Sequence, residues 1–203
     1  MNLRDWTDNL VCALVYCLLM VVLEAHAQEI ARPMMLVASP SLRGAYSETL
    51  VAAVPKDGGH VGFILNRVSD VKLASLFPEH KPSGQVADPV YFGGPQQPRA
   101  IFAVLRRNPG GDAWSLFDGF FAALSVQSVD RIIEQTPNDA RYFAGHVAWK
   151  PGELEREIGR GYWFVTEPDA SLLRRDTRGA WDELVKRLGN GHAPARNLIS
   201  ASL

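Results

Sequence analysis

An α+β fold is predicted by three features of the chain. Its apolar runs are short. Neighbouring runs are joined by turn residues, as in locally paired strands. Stretches with helical spacing fall between groups of strands, without the strict alternation of a parallel sheet.

The N-terminal stretch stands apart from this pattern. Leu10 to Leu23 (LVCALVYCLLMVVL) is uncharged and mostly apolar. It falls short of the roughly 20 residues a spanning helix needs. It fits the apolar centre of a secretory signal peptide, and Ala25-His26-Ala27 supplies an A-x-A cleavage pattern. Residues 1–27 are therefore expected to be a signal peptide, with the mature protein in the periplasm or secreted. An uncleaved membrane anchor is the alternative, because Arg4 is opposed by Asp5 and Asp8. Both cysteines, Cys12 and Cys17, lie in the leader, so the mature chain has no thiol or disulfide chemistry. Cleavage leaves 176 residues (203 less 27), with 20 basic and 19 acidic side chains once Arg4, Asp5, Asp8 and Glu24 are removed. One domain is the natural count, over residues 28–189. The near-zero charge gives no nucleic-acid footprint.

Met34 to Ser39 is an apolar run ended by Pro40, and is predicted to be a buried strand. Ser41 to Tyr46 is a loop. Thr49 to Val54 and Val61 to Leu65 form a predicted hairpin, because Asp57-Gly58 between them tolerates positive φ. Asn66-Arg67 ends the second strand. Apolar residues at Val71, Leu73, Ala74 and Phe77 predict a short helix. His80 to Asp88 is a predicted loop. Val90 to Phe92 and Ala100 to Leu105 are predicted strands around the turn GGPQQP.

Arg107 to Asp112 is another turn, and Phe120 to Val126 a strand. Ser128 is a candidate N-cap for a helix running to Gln135, with Asp130 in its first turn. Tyr142 to Trp149 alternates as a strand does. Pro151 suits the first position of a helix whose buried face carries Leu154 and Ile158 and which Gly159 and Gly161 end. Tyr162 to Val165 is a strand, and Asp169 to Leu173 a helical turn. Trp181, Leu184, Val185 and Leu188 share one face of a last helix stopped by Gly189. Residues 190–203 lack an apolar face and are expected to be a mobile tail.

Candidate chemistry is sparse. His60, His80, His146 and His192 show no three-to-five spacing and no H-E-x-x-H, so no metal site is expected. His146 reads first as a half-buried strand histidine bonded to a backbone carbonyl. Ser39 reads first as a strand-end serine bonded to the backbone; as a hydrolase nucleophile its best candidate base is His146, and no G-x-S-x-G elbow supports the pair. Gly93-Gly94-Pro95 follows a strand without a phosphate-loop pattern; a tight turn or bulge is the first reading, a small anion nest the second. Glu153, Glu155 and Glu157 alternate with Arg156 and Arg160, which fits helix-end electrostatics better than acid/base catalysis. Trp149, Trp163 and Trp181 are expected as core anchors.

Three blocks carry a family likeness: MLVASPSL (Met35 to Leu42), VYFGGP (Val90 to Pro95) and AGHVAWKPGELEREI (Ala144 to Ile158). Together they resemble the YqgE/AlgH family of bacterial proteins, over Met35 to Gly189. The resemblance implies a mixed, mainly antiparallel, bifurcated sheet folded into a pseudo-barrel flanked by helices. It implies no established chemistry. The family's third block is usually G-Y-x-G-W followed by G-Q-L-E. Here His146 and Ala148 replace the tyrosine and second glycine, and Glu153 replaces the glutamine. One member's link to alginate production attached a transcriptional-regulator label to the family. That label needs the leader to be misread, since the chain has no helix-turn-helix signal or basic face. The expected function is a binding or regulatory module for an unidentified protein or small molecule. Its binding candidates are Pro40, Asn66, Gly93, Gly94, Pro95, His146, Trp149 and Glu153. No cofactor and no nucleic-acid partner are expected, and membrane contact only through an uncleaved leader.

Overall fold

The computed structural model describes residues 32–173 and 176–189. The expected signal peptide and C-terminal tail lie outside them. No helix among the described residues is long and apolar enough to cross a membrane.

Five strands form the first half: β1 (Met34–Ala38), β2 (Leu50–Lys56), β3 (Gly59–Ile64), β4 (Val68–Lys72) and β5 (Pro89–Phe92). The second half holds β6 (Gln96–Leu105), β7 (Trp114–Ser115), β8 (Phe121–Ala123), β9 (Ala140–Trp149) and β10 (Trp163–Thr166). The helices are α1 (Leu73–Leu76), α2 (Val126–Gln135), α3 (Glu153–Gly159) and α4 (Ala180–Gly189). The strands run β10-β1-β2-β3-β9-β6-β8-β7, with β5 on β9 and β4 on β5. All pairs are antiparallel except β5 with β9. The sheet is α+β in setting, mixed and mainly antiparallel, as expected. It is not closed into a barrel, since β10 and β7 each pair with one neighbour only among the described strands.

The sheet forks at β9. One edge of β9 pairs with β5 at Phe143 and Ala144, then with β3 from Val147 to Trp149. The opposite edge pairs with β6 along Ala140 to Ala144 and at His146. So β5 and β6 flank the same residues of β9 on opposite edges, yet only Gly93-Gly94-Pro95 joins them. The chain must pass directly over the β9 backbone. Gly93 is sewn into the fork: its N–H donates to the Ala144 carbonyl at 2.8 Å, and its carbonyl accepts from the Ile64 N–H at 2.9 Å. A Cβ on Gly93 would lie 2.3 Å from the Gly145 carbonyl oxygen, and one on Gly94 2.3 Å from the His146 carbonyl. Gly94 and Gly145 also hold φ of 154° and 71°, where a side chain is strained. The glycine pair is a close backbone crossing more than a tight turn.

Alternation along the strands builds two apolar layers. Phe63, Phe102 and Phe143 face one side, with ring centroids 5.7 Å (Phe63 to Phe102) and 5.3 Å (Phe63 to Phe143) apart. Tyr142, Ala103 and Leu105 face the other, under Val129, Ile132 and Ile133 of α2. Each buried aliphatic or aromatic side chain contributes about 1.5–3 kcal/mol. α4 closes the first layer, where Leu184 is buried and the Trp181 indole donates to the Ala38 carbonyl at 2.8 Å.

The Asp57-Gly58 hairpin forms as expected, with φ of 50° and 78° and Lys56 opposite Gly59. Several boundaries differ. The helix expected at Val71 to Phe77 shrinks to α1, because Val68 to Lys72 pairs with β5 as an edge strand. The chain after Gly94-Pro95 is already β6 at Gln96, so GGPQQP is not one turn. The N-cap of α2 is Ser125, whose hydroxyl accepts from the Ser128 N–H, and Asp130 therefore sits beyond the first turn. Pro151 is not the first residue of α3: Gly152 at φ 73° turns the chain and caps the helix.

The crossing sets a test. Gly93→Ala and Gly94→Ala should each cost about 3 kcal/mol or more, or prevent folding, because backbone must move. Gly84→Ala, with open space around it, should stay within about 0.5 kcal/mol. Urea denaturation of the three variants measures the difference.

Candidate functional site

One large cleft opens where the N-terminal half of β9 meets β5 and the end of β3. It encloses about 950 Å³. Its walls come from four separate segments: Asn66 to Val68, Asp88 to Phe92, Arg141, and Asp176 to Arg178. Arg141 is a buried cation, 7 % exposed, near the start of β9. Its guanidinium lies 4.4 Å from the centroid of the Tyr91 ring and donates to the Leu172 carbonyl at 2.9 Å. Burial pulls its pKa down, and Tyr91, Asp88 and Asp176 oppose that pull. Arginine stays cationic under such shifts. The Tyr91 hydroxyl is pushed up by burial, with Arg141 opposing.

The other charges of the cleft are partly committed. Arg178 donates from Nε to Asp176 at 2.6 Å, and this pairing lowers the Asp176 pKa. Arg67 donates to the Ser47 carbonyl at 3.1 Å. Three arginines thus face two carboxylates around a floor of Tyr91 and Phe92. The arrangement can hold an anionic group against an aromatic surface. Arg141, Tyr91, Asp176 and Arg178 were not among the sequence candidates. The available signal was Arg141 itself, a cation interrupting the apolar run from Ala140 to Phe143.

The sequence candidates fall in several places. Asn66 lines the cleft, but its amide is occupied: Oδ1 accepts from the Leu50 N–H at 2.9 Å and Nδ2 donates to the Glu48 carbonyl at 2.8 Å. Pro40 is exposed in a turn closed by Arg43, which donates to its carbonyl at 2.8 Å. Gly93, Gly94 and His146 meet at the fork, and Pro95 is exposed beside it. His146 packs edge-on against Phe102 and Trp114, with centroids 5.4 Å and 5.9 Å away. Burial lowers its pKa. Its Nδ1 is buried without a hydrogen-bond partner, so the expected carbonyl bond is not made there.

The structure does not bring Ser39 and His146 together. β2 and β3 lie between β1 and β9, a separation of roughly 14 Å at about 4.8 Å per strand. Ser39 is buried, and its hydroxyl shares a 2.7 Å bond with Ser41.

Trp149 and Glu153 belong to another cluster, around α3. Glu157 Oε2 accepts two indole N–H bonds, from Trp149 at 2.9 Å and Trp163 at 2.7 Å. Tyr46 stacks edge-on against Trp163, and burial raises its pKa, aided by Glu157 and Glu153. Glu153 accepts from the Lys150 N–H at 2.9 Å and so holds the entry to α3. These are the expected core tryptophans, tied to one carboxylate that docks the helix.

The AlgH-like family model matches residues 35–193. The chain belongs to the AlgH-like family. It is 32% identical over 169 residues to a protein of Parabacteroides distasonis called UPF0301, covering 77% of this chain and 82% of that one. A UPF0301 protein of Rickettsia typhi is 31% identical over 163 residues, 76% of this chain and 86% of the relative. The solution structure of AlgH from Pseudomonas aeruginosa superposes with a TM-score of 0.64 at 21% identity, over 81% of this chain and 94% of that one. A crystal structure from Corynebacterium diphtheriae gives 0.60 at 25% identity, over 77% and 86%. The first of these two supports the fold alone. The family has no assigned biochemical function.

The Glu157 cluster is testable apart from any ligand. Glu157→Ala leaves two buried indole donors unpaired and should cost about 2–4 kcal/mol in chemical denaturation. Glu157→Gln keeps an acceptor and should cost less, with the shift followed by tryptophan fluorescence.

Proposed function

We propose that this AlgH-like chain is an exported binding module whose arginine-lined cleft takes a small anionic molecule in the periplasm. The observation that carries the reading is Arg141, buried at the cleft wall against Tyr91 with its cationic form retained. Burying a cation is costly, and folding alone would be served as well by an apolar residue of similar size. A ligand carboxylate or phosphate supplies a reason for it. The Asp176–Arg178 pair is exposed at the rim and can exchange partners when an anion enters. Export is supported by the apolar leader, its A-x-A site and the confinement of both cysteines to it.

Two measurements test this reading. Native mass spectrometry of protein purified gently from the envelope fraction should show a bound small molecule, with a mature N-terminus at Gln28. Titration with inorganic phosphate and citrate should show saturable binding to one of them, weakened at least tenfold by Arg141→Gln and at least threefold by Arg178→Ala. A protein that starts at Met1 in the cytosol removes the export half. A ligand-free cleft indifferent to both anions removes the other.

A further inference from the structure

A second polar cluster lies away from the cleft, between α2 and the segment that precedes it in space. His80 stands at the start of a 3-10 turn (Lys81–Gln85), and Asp130 and Glu134 are one helical turn apart on α2. One donor atom from each lies within 4.8 Å of the others. The expectation of no metal site rested on spacing between histidines. This cluster uses one histidine and two carboxylates some fifty residues further along the chain.

Three details favour a cation over an ordinary surface ion pair. The ring of His80 is oriented, because Nδ1 shares a 2.7 Å hydrogen bond with the hydroxyl of buried Ser83. With Nδ1–H donating there, the Nε2 lone pair points at α2, as second-shell partners of metal-bound histidines arrange it. Nε2 is buried, makes no hydrogen bond, and lies 3.3 Å from Asp130 Oδ1. That is longer than the usual N–H···O range, and close to the roughly 3.3 Å between two donors of one tetrahedral ion with bonds of about 2.0–2.1 Å. Finally, Asp130 and Glu134 are like charges at i, i+4, mildly destabilising to α2 unless a cation sits between them.

We propose that His80 Nε2, Asp130 and Glu134 bind a divalent first-row transition ion of the Zn²⁺ type, with water completing its coordination. One imidazole with two carboxylates suits such an ion better than Mg²⁺ or Ca²⁺, which prefer oxygen alone. Glu134 is exposed and swings inward to close the set. The ion clips the segment from His80 to Gln85 onto α2 between Asp130 and Glu134. Asn138 already ties the far end of that segment, donating to the Gln85 carbonyl at 3.1 Å and accepting from the Ala87 N–H at 2.9 Å. This site shares no residue with the arginine-lined cleft, and either can fail without the other.

The test is titration of untagged, chelator-treated full-length protein with Zn²⁺, followed by calorimetry and thermal denaturation, with Mg²⁺ as the comparison ion. One equivalent of Zn²⁺ should bind and raise the melting temperature, and Mg²⁺ should do neither. Asp130→Asn and Glu134→Gln, both on the solvent side and expected to fold, should each weaken binding at least tenfold, whereas Glu79→Gln should leave it unchanged. Zn²⁺ binding that survives both variants, or no binding at millimolar metal, overturns the proposal.

Discussion

The structure depends on a single place where one stretch of backbone lies across another. Gly93-Gly94-Pro95 carries the chain from one edge of β9 to the other in three residues, over Gly145. No side chain fits between the two backbones. In return, the Gly93 carbonyl and N–H join β3 to β9 at the fork, so buried polar groups that a split sheet would orphan are paired. Two of the three blocks that mark the family, VYFGGP and AGHVAW, are the two sides of this crossing. The glycines they carry, Gly93, Gly94 and Gly145, have a steric cause.

The cleft follows from the fork. Holding β5 parallel on β9, with Tyr91 opposite Phe143, sets the Tyr91 ring beside Arg141 two residues away. Past Asn66 the chain leaves β3 and stays on β5, with the Phe92 N–H donating to the Arg67 carbonyl at 2.8 Å and Val68 opposite Tyr91, so Asn66 to Val68 become one wall of the cleft. The residues of the cleft are therefore placed by the register of a crossing that they do not themselves make. The glycines are under a steric constraint that the side chains lining the cleft do not share.

Legibility in the sequence tracked the range of the interactions. The hairpin of β2 and β3 was readable because Asp57-Gly58 encodes its own turn. The face of α4 was readable because Trp181, Leu184, Val185 and Leu188 repeat at helical spacing. β4 was not, because an exposed edge strand reading Val-Ser-Asp-Val-Lys has no apolar alternation, and Leu73 to Phe77 lent it helical spacing. The cap of α2 was misplaced by three residues because two serines compete, and only the geometry shows that Ser125 accepts the bond. The glycine pair was visible but its purpose was not, since β9 is some fifty residues away. The cleft and the His80 cluster were missed for the same reason: each assembles residues from segments far apart in the chain, and none forms a local motif.

The crossing at Gly93 is part of the core and not a loose connection between strands. Native-state hydrogen exchange tests it most directly. Connecting segments ordinarily exchange through small local openings, and core strands only through global unfolding. If the crossing holds the sheet together, the amides of Gly93 and Ile64 will exchange as slowly as those in the centre of β9, with the same opening free energy and urea dependence. Exchange at Gly93 orders of magnitude faster than at Phe143 would contradict the account.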